Sequence, residues 1–338
     1  MRQVWITRAG TPDVLRVREA PDPAPKPGEV RIRVSFSGIN FADVMARMGQ
    51  YPDAPPIPCV VGYEVSGHVD AVGMDIRDIA VGQPVVAITR FSGYSDVVNV
   101  PASQVLPLPT EYSLEKAAAI PVNYLTAWIM LVRMANVQAG ERVLVHSAGG
   151  GVGQAALQIC LWQGAEVIGT ASSGKHARLR ELGVAHCIDY TRESVPEKIL
   201  HITNGQGVDI VLDPVGGKSF KEGYRMLAPL GRLCMFGASS GAPGTSRSIL
   251  ALLKTVIGMP FFHPIPLIDK NRAVIGVNLG HLWESMGKLR PDFETIVDLC
   301  VKGTFDPVVD TVFTFEDAPK AHQYMQDRRN FGKVLLRP

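Results

Sequence analysis

A glycine-rich stretch in the middle of the chain, Ser147 to Gly153 with the sequence SAGGGVG, constrains the fold most strongly. It follows the apolar run Arg142–His146 and precedes a helix-like run that extends to Trp162. A glycine-rich turn between a buried strand and a helix lets backbone N–H groups approach a pyrophosphate at the positive end of the helix. The pattern here is A-x-G-x-x-G, so an alanine stands at the first glycine of the dinucleotide fingerprint, and a tight turn without a ligand is the alternative. We predict a nucleotide site, with a dinucleotide favoured, and the residues expected to contact it are Gly150, Gly151, Val152 and Gly153.

The rest of the sequence shows two patterns. Up to residue 122, short strand-like runs such as Val30–Phe36 and Val65–Val72 are separated by proline and glycine, which is typical of a small β barrel or a folded-over sheet. From residue 123, strand-like and helix-like runs alternate, and this predicts βαβ units on a parallel sheet. We expect this second domain to span residues 123–262, with a further strand at 273–278 completing its sheet. Residues 279–338 are expected to return to the first domain, because a lone terminal strand needs a partner.

The region after the second strand of the alternating part bears on which nucleotide is bound. Val167 to Arg178 contains no Asp or Glu, although folds that prefer NAD place an acidic residue about 20 residues after the glycine turn. Ser172 and Lys175 occur there instead, and a 2′-phosphate requires positive charge and hydrogen-bond donors. We therefore predict NADP as the cofactor, with Ser172 and Lys175 at its 2′-phosphate. In the alternative, Ser172 only caps the next helix and Lys175 is solvated, and the two roles can coexist.

Composition argues against several classes of partner. A net charge of +2 gives no reason to expect nucleic acid or an acidic membrane surface. The five cysteines are scattered without a C-x-x-C pair, which favours reduced thiols in the cytoplasm over disulfides or zinc. The first residues form a strand-like run with no basic and then apolar stretch, so we expect no secretory signal.

The apolar segment Ile249–Ile268 is interrupted by three prolines, so we expect no transmembrane helix. It is interpreted as a substrate mouth or a dimer contact, with Phe261 and Phe262 as an apolar wall. A buried amphipathic helix followed by a loop is the alternative.

Several segments, in order along the chain, resemble the zinc-independent quinone oxidoreductases of the medium-chain dehydrogenase/reductase superfamily. They are Asn40 to Tyr51 with the pattern N-x-x-D-x-x-x-R-x-G-x-Y, Gly62–Val69, Ala117–Pro121, Ala148–Gly153 and Gly332–Leu336. Gly169–Ser172, Asp189-Tyr190 and Asp213-Pro214 most resemble the vesicle amine transport protein-like branch. The resemblance implies an α/β chain with a GroES-like β-rich substrate domain from both ends of the sequence and a central Rossmann domain with a doubly wound parallel sheet. It also implies NADPH-dependent reduction of quinones or activated enones by a homodimer.

The resemblance also assigns residues to the site. Asn40 and Tyr51 are the predicted catalytic residues. Tyr51 can donate a hydrogen bond to a substrate oxygen, and Asn40 can donate to the same oxygen or to the nicotinamide ribose. A local turn for Asn40 and ordinary packing for Tyr51 are the alternatives. A solvated Lys333 and a plain helix hydroxyl at Thr126 also stay open. Asp43 and Arg47, four apart on a predicted helix, are expected to form an i,i+4 ion pair. The further cofactor contacts that the family positions imply are Thr126, Tyr190, Gly237, Ser239, Asn330 and Lys333.

Residues that would hold zinc in the metal-dependent relatives are replaced here. Asn40 lies in the region of the first ligand, and Tyr63 stands where those relatives have histidine, which leaves Glu64 without partner ligands. Residues 85–120 contain no cysteine for a structural zinc lobe. A catalytic zinc needs three protein ligands, so no metal is expected.

Without a metal to assist alcohol oxidation, the sequence favours hydride donation from NADPH to an activated acceptor. We expect the acceptor to be a small apolar quinone or an α,β-unsaturated carbonyl. The alternatives are an enoyl thioester reductase and an NADPH-binding protein without turnover.

Overall fold

The computed structural model describes residues 1–245 and 247–338, and the chain forms two compact units. Unit 1 comprises Met1–Leu125, Gly244–Arg247 and Leu279–Pro338, whereas unit 2 comprises Thr126–Pro243 and Ser248–Asn278. Both ends of the sequence therefore belong to one unit, with the nucleotide-type turn in the other.

The strands in chain order are β1 (Arg2–Ile6), β2 (Leu15–Glu19), β3 (Glu29–Ile39), β4 (Glu64–Val72), β5 (Pro84–Ile88), β6 (Val97–Pro101), β7 (Val105–Pro107), β8 (Arg142–Val145), β9 (Glu166–Thr170), β10 (His186–Ile188), β11 (Val208–Asp213), β12 (Leu227–Met235), β13 (Ala273–Gly276), β14 (Val309–Thr314) and β15 (Lys333–Arg337). The α-helices are α1 (Phe41–Arg47), α2 (Leu114–Ala117), α3 (Pro121–Trp128), α4 (Gly151–Trp162), α5 (His176–Glu181), α6 (Val195–Ile202), α7 (Lys218–Arg225), α8 (Ile249–Gly258), α9 (Pro264–Lys270), α10 (Met286–Val301) and α11 (Ala318–Gln326).

Unit 1 is built on a seven-stranded sheet that joins the two ends of the chain. Its order is β14-β15-β3-β4-β5-β7, with β6 also paired to β3, and a separate ribbon is formed by β1 and β2. The terminal strand β15 runs antiparallel to β3, with Val334 opposite Ile39. Alternating residues of β3, Val30, Ile32 and Val34, point to one face of the sheet and are buried in a hydrophobic core with side chains from neighbouring strands. This is the GroES-like β-rich domain that the sequence predicts.

Unit 2 contains the predicted parallel sheet. Its order is β10-β9-β8-β11-β12-β13, and all five pairings are parallel. The chain passes from β8 to β9 on one side and later returns to β11 on the other, so the strand order reverses at β8. In doubly wound sheets, ligands bind beyond the carboxyl ends of the strands at this reversal. The glycine-rich turn follows β8 and therefore lies at that position.

The apolar segment Ile249–Ile268 forms α8 and the beginning of α9. Thr255 is the only buried residue of α8. The helix is therefore largely exposed, and the alternative of a buried amphipathic helix is wrong. Phe261 is 89% exposed, whereas Phe262 packs against Tyr224 with ring centroids 5.4 Å apart. Within residues 1–245 and 247–338, no helix is both long and apolar enough to cross a membrane. Within the segment Ile249–Ile268, the exposed large apolar side chains are Ile249, Leu250, Leu253, Val256, Ile257, Met259, Phe261, Ile265 and Ile268.

Candidate functional site

In the glycine turn of unit 2, the backbone at Gly153 lies close to the backbone of Ser147 and Ala148. A Cβ atom at Gly153 would lie 2.5 Å from the carbonyl oxygen of Ser147, so no side chain fits there. Gly150 occupies the N-cap of α4, a helix of 12 residues. The N–H groups in the first turn of a helix have no partner within the helix and carry its positive end. The turn therefore presents the backbone donors that a pyrophosphate requires.

Thr170, at the carboxyl end of β9, holds this turn in place. Its carbonyl oxygen accepts from the N–H of Ala148 at 3.0 Å, and its hydroxyl oxygen accepts from the N–H of Ser147 at 3.3 Å. The same hydroxyl lies 3.2 Å from Nδ1 of the buried His146. Burial lowers the pKa of His146 and favours a neutral ring. Neither residue carries a pattern in the sequence that would have marked it as a support for the turn.

The predicted 2′-phosphate residues lie in a short 3₁₀ turn, Ser173–Lys175, which Ser172 precedes. An acidic side chain from the neighbouring strand also reaches this turn, because the Asp189 carboxylate accepts from the N–H of Ser173 at 3.3 Å. It accepts in addition from the hydroxyl and the N–H of Thr191, at 2.6 and 3.0 Å. These hydrogen bonds, above all the one from the Thr191 hydroxyl, lower the pKa of Asp189 and keep it ionised. This contact of Asp189 was not predicted from the sequence, because Asp189 follows the third strand of the alternating part rather than the second.

The other predicted cofactor residues lie in several elements. Thr126 is buried in α3, and Tyr190 is exposed directly after Asp189. Gly237 and Ser239 follow β12 at its carboxyl end, where the N–H of Ser239 donates to the Pro214 carbonyl at 3.0 Å. Asn330 donates its side-chain amide to the Gly332 carbonyl at 3.0 Å, in the turn before β15.

Asn40 and Lys333 meet in unit 1 in a buried polar cluster with Glu64. The Lys333 ammonium donates to Oδ1 of Asn40 at 2.7 Å and forms an ion pair with Glu64. Nδ2 of Asn40 donates to Oε1 of Glu64 at 3.0 Å, and the N–H of Val122 donates to Oε2 at 2.8 Å. The Lys333 side chain is 2% exposed, so the alternative of a solvated lysine is wrong. These hydrogen bonds use Oδ1 and one N–H of the Asn40 amide, so its second N–H is the donor left for a substrate.

Asp43 and Arg47 have separate partners, and the predicted i,i+4 ion pair between them is wrong. Asp43 occupies the third position of α1, so its carboxylate turns back to accept from the N–H of the N-cap residue Asn40 at 2.8 Å. The same carboxylate accepts from the N–H of Gly62 and the hydroxyl of Tyr94, both at 3.1 Å. Burial raises the pKa of Asp43 to about 7 despite these hydrogen bonds. Arg47 donates instead to main-chain and side-chain oxygens elsewhere in unit 1, those of Thr245 and Gln326.

Tyr51 lines a pocket of unit 1 with a volume of about 340 Å³. Burial, and after it the charge of Asp53, raises the pKa of Tyr51, so its hydroxyl stays protonated and can donate a hydrogen bond at neutral pH. Asp53 itself pairs with His281 at 2.8 Å. The pocket brings together residues from three separate parts of the sequence. They are Tyr51, Asp53, Tyr63, Arg90, Phe91, Gly280, His281, Trp283 and Glu284.

The comparisons with known proteins agree with this architecture. Residues 26–110 match the alcohol dehydrogenase GroES-like domain, and residues 151–302 match the family described as zinc-binding dehydrogenase. The chain is 39% identical to the synaptic vesicle membrane protein VAT-1 homolog of Mus musculus, over 100% of this chain and 84% of that protein. The chain belongs to the VAT-1 homolog branch of the medium-chain dehydrogenase/reductase superfamily. The predicted family and branch are thereby confirmed.

Two solved structures of this superfamily share the whole fold. A mycobacterial protein complexed with NADPH is 30% identical, with a TM-score of 0.86 and full coverage of both chains. A quinone oxidoreductase of Pseudomonas syringae pv. tomato is also 30% identical, with a TM-score of 0.86 over 100% of this chain and 99% of that one. Relatives of this kind identify the chain as an oxidoreductase of the superfamily.

Zinc does not fit the residues of this chain, although one matching family is described as zinc-binding. The Glu64 carboxylate is already engaged by Lys333, Asn40 and the N–H of Val122. Tyr63 precedes it in place of a histidine, and a protonated phenol is a poor zinc ligand. Among the residues that the structure describes, no three His, Cys, Asp or Glu side chains are grouped so that they could hold a metal ion.

Proposed function

We propose that this chain is an NADPH-dependent reductase of small quinones or α,β-unsaturated carbonyls. The observation that carries the proposal is the pocket of unit 1, in which aromatic rings lie beside the protonated hydroxyl of Tyr51. Aromatic walls combined with convergent polar groups are the usual form of a small-molecule site. Reduction of an activated acceptor also requires no metal. This agrees with the Glu64 carboxylate, which is engaged by Lys333 and Asn40 and is not free to bind zinc.

NADPH fits the donors of unit 2. The backbone at Gly150 to Gly153 would hold the pyrophosphate, because its N–H groups lie at the positive end of α4 and glycine at 153 permits the tight turn there. Ser172 and Lys175 would hold the 2′-phosphate, and Asp189 supports their turn through the N–H of Ser173. The NADPH bound to the mycobacterial relative supports this assignment.

When bound, NADPH supplies hydride, two electrons with one proton, from C4 of the nicotinamide. The Tyr51 hydroxyl would donate a hydrogen bond to a carbonyl oxygen of the acceptor and stabilise the negative charge that develops there as hydride is added. One further proton from solvent completes the product, so that quinone, NADPH and H⁺ give hydroquinone and NADP⁺. The aromatic side chains of the pocket would hold the acceptor and exclude water from it.

The test follows NADPH absorbance with ortho-quinones, para-quinones, enones and an enoyl thioester, each repeated with NADH. We expect oxidation of NADPH by at least one quinone or enone, and a loss of roughly tenfold to hundredfold in kcat for Tyr51→Phe. Oxidation by the enoyl thioester alone would favour the enoyl reductase. If no acceptor is reduced although NADPH raises the Tm, the chain is a cofactor-binding protein and the proposal is wrong.

The same proposal includes a homodimer formed through α8, α9 and β13. Nine large apolar side chains between Ile249 and Ile268 are exposed, and clusters of exposed apolar side chains mark protein interfaces. The strand β13 is at the end of its sheet, so its outer edge can accept a further strand. Ile257→Glu should convert the dimer to monomer in light scattering, whereas Met74→Glu on unit 1 should not.

Reduced thiols support a cytoplasmic location as part of this proposal. All five cysteines are free, and four of them are buried. Burial raises the pKa of Cys160, Cys234 and Cys300 and keeps these thiols protonated and unreactive.

A further inference from the structure

Tyr63 and Trp283 present nearly parallel rings to the pocket of unit 1. Their planes differ by 11° and their ring centroids are 6.4 Å apart. Aromatic pairs have centroid distances of about 4.5–7 Å, so this pair is at the loose end of the range. Tyr63 is 6% exposed and directly precedes β4, whereas Trp283 begins a short 3₁₀ turn and is only half-buried. One ring is therefore buried beside the sheet, and the other lies on a more exposed turn.

Two more rings complete the apolar wall around Tyr63. Tyr51 meets it edge-on at 87° with centroids 6.4 Å apart, and Phe91 lies tilted at 5.3 Å. Such an arrangement offers ring faces and edges rather than a round aliphatic cavity. A flat π-system satisfies both kinds of contact, through stacking on the faces and through its polar rim on the edges.

Arg90 supplies the pocket with a cationic donor. It lines the pocket, and its exposed guanidinium can donate to a carbonyl oxygen. The buried Tyr63 hydroxyl shares a hydrogen bond with Tyr51, and Asp53 pairs with His281 at 2.8 Å. The pocket thus combines aromatic walls with a donor suited to an oxygen-bearing ring.

Pocket size limits the ligand further. A volume of about 340 Å³ is near the lower end of the roughly 300–1,000 Å³ typical of small-molecule sites. It suits one flat fused-ring molecule.

We propose that the pocket selects a planar, fused-ring quinone of about two rings, which stacks against Tyr63 and Trp283. In this proposal Trp283 is the specificity-determining residue, and Arg90 donates to a quinone oxygen. The proposal rests on the reductase function proposed above, since it names the acceptor class of that reaction. It does not extend to simple aliphatic enones. These have no aromatic ring and would bind without a stacking contact to Trp283.

The test separates binding from turnover. Titration of the NADPH-free protein with 1,4-naphthoquinone should give a saturable quench of tryptophan fluorescence, and Trp283→Leu should remove most of it. The matched control is Trp162→Leu, which removes a half-exposed tryptophan of unit 2 that stacks on Trp128 with centroids 5.7 Å apart. This control should keep the saturable quench.

Steady-state kinetics supplies the second readout. Trp283→Leu should raise KM for 1,4-naphthoquinone about five- to tenfold, as expected for loss of one aromatic stacking contact, with little change in KM for an aliphatic enone. Arg90→Ala should raise KM for the quinone more than KM for the enone, and Tyr63→Phe, which keeps the ring, should keep the stacking. Equal effects of Trp283→Leu on both acceptors, or no effect on either, would overturn the proposal.

Failure of this proposal and failure of the reductase function give different results. If no acceptor oxidises NADPH but the Trp283-dependent quench remains, the function is wrong and the aromatic ligand site stands. If quinones are reduced but Trp283→Leu changes neither the quench nor the selectivity, the function stands and the stacking site is wrong.

Discussion

Lys333 and Glu64 form an ion pair in the interior of unit 1, with side-chain exposures of 2% and 0%. The two residues meet because β15 lies antiparallel to β3, which in turn pairs with β4, where Glu64 begins the strand. Gly38 on β3 makes the room, since a Cβ there would lie 2.5 Å from Oε1 of Glu64 and 2.6 Å from Cε of Lys333. The terminal strand β15 thereby places the Lys333 ammonium in a buried cluster that also contains Asn40.

This pair should be strongly coupled in stability. Lys333→Met leaves the Glu64 carboxylate buried without its cation and should lower the free energy of unfolding by about 3–5 kcal/mol. The double variant with Glu64→Gln should lose less than the sum of the two single variants, because it leaves no unpaired charge. Urea denaturation of all four proteins measures this coupling. Lys302→Met, which breaks an exposed pair with Asp298, is the control and should cost no more than about 0.5 kcal/mol. Additive losses would contradict the prediction.

Gly153 should tolerate no side chain. In Gly153→Ala the new methyl group would meet the Ser147 carbonyl oxygen at 2.5 Å, so the turn has to widen. We expect a loss of about 1–3 kcal/mol in stability and a weaker NADPH complex, measured by denaturation and by fluorescence titration. Gly287→Ala is the control, because its Cβ meets nothing within 4 Å in α10 and should stabilise the chain slightly. NADPH affinity that is unchanged in Gly153→Ala would rule out this turn as the pyrophosphate site.

Lys175 should distinguish the two nicotinamide cofactors. Lys175→Ala should weaken NADPH binding by about 1–3 kcal/mol, as for one charge-assisted contact, and leave NADH binding nearly unchanged. Isothermal titration with both cofactors measures the difference. Arg180→Ala, on the exposed face of α5, removes the same charge nearby and should change neither affinity. Equal losses for NADPH and NADH would show that Lys175 does not contact the 2′-phosphate.

Local and periodic features of this sequence predicted most of the fold. The alternation of strands and helices predicted the parallel sheet. The glycine-rich stretch predicted a turn between a strand and a helix, as the structure has it between β8 and α4. The family resemblance assigned Asn40 and Lys333 to the site separately, but nothing in the sequence predicted their contact, because the two residues are 293 positions apart.

The remaining features depend on tertiary structure. Trp283 faces Tyr63 from a turn 220 positions further along the chain, and neither residue lies in a pattern that marks a pocket. The prolines after Ile249 correctly argued against a long helix. Pro264 and Pro266 nevertheless lie in the first turn of α9, where proline is tolerated because the N–H it lacks has no helical partner.

Asp43 shows why a spacing rule failed, and it also predicts a pH dependence. The i,i+4 rule assumes an exposed helix face, whereas Asp43 is buried, and its carboxylate accepts from Gly62 and Tyr94. Its pKa is about 7 in the folded chain, above the roughly 3.9 of an unfolded aspartate. Between these two values the folded protein keeps a proton that the unfolded chain has released. Stability from this group is therefore complete below pH 4 and is lost as the pH rises towards 7.

Asp43→Asn should remove this contribution, since an amide does not titrate in this range. The difference in unfolding free energy between the original chain and Asp43→Asn should be larger at pH 5 than at pH 7.5, because only the original chain loses stability as the carboxyl ionises. Urea denaturation at both pH values measures it, and the subtraction largely cancels groups that both proteins share, such as His322 beside Tyr94. A difference that stays constant, or that grows towards pH 7.5, would mean that the Asp43 carboxyl is already ionised at pH 5 in the folded chain.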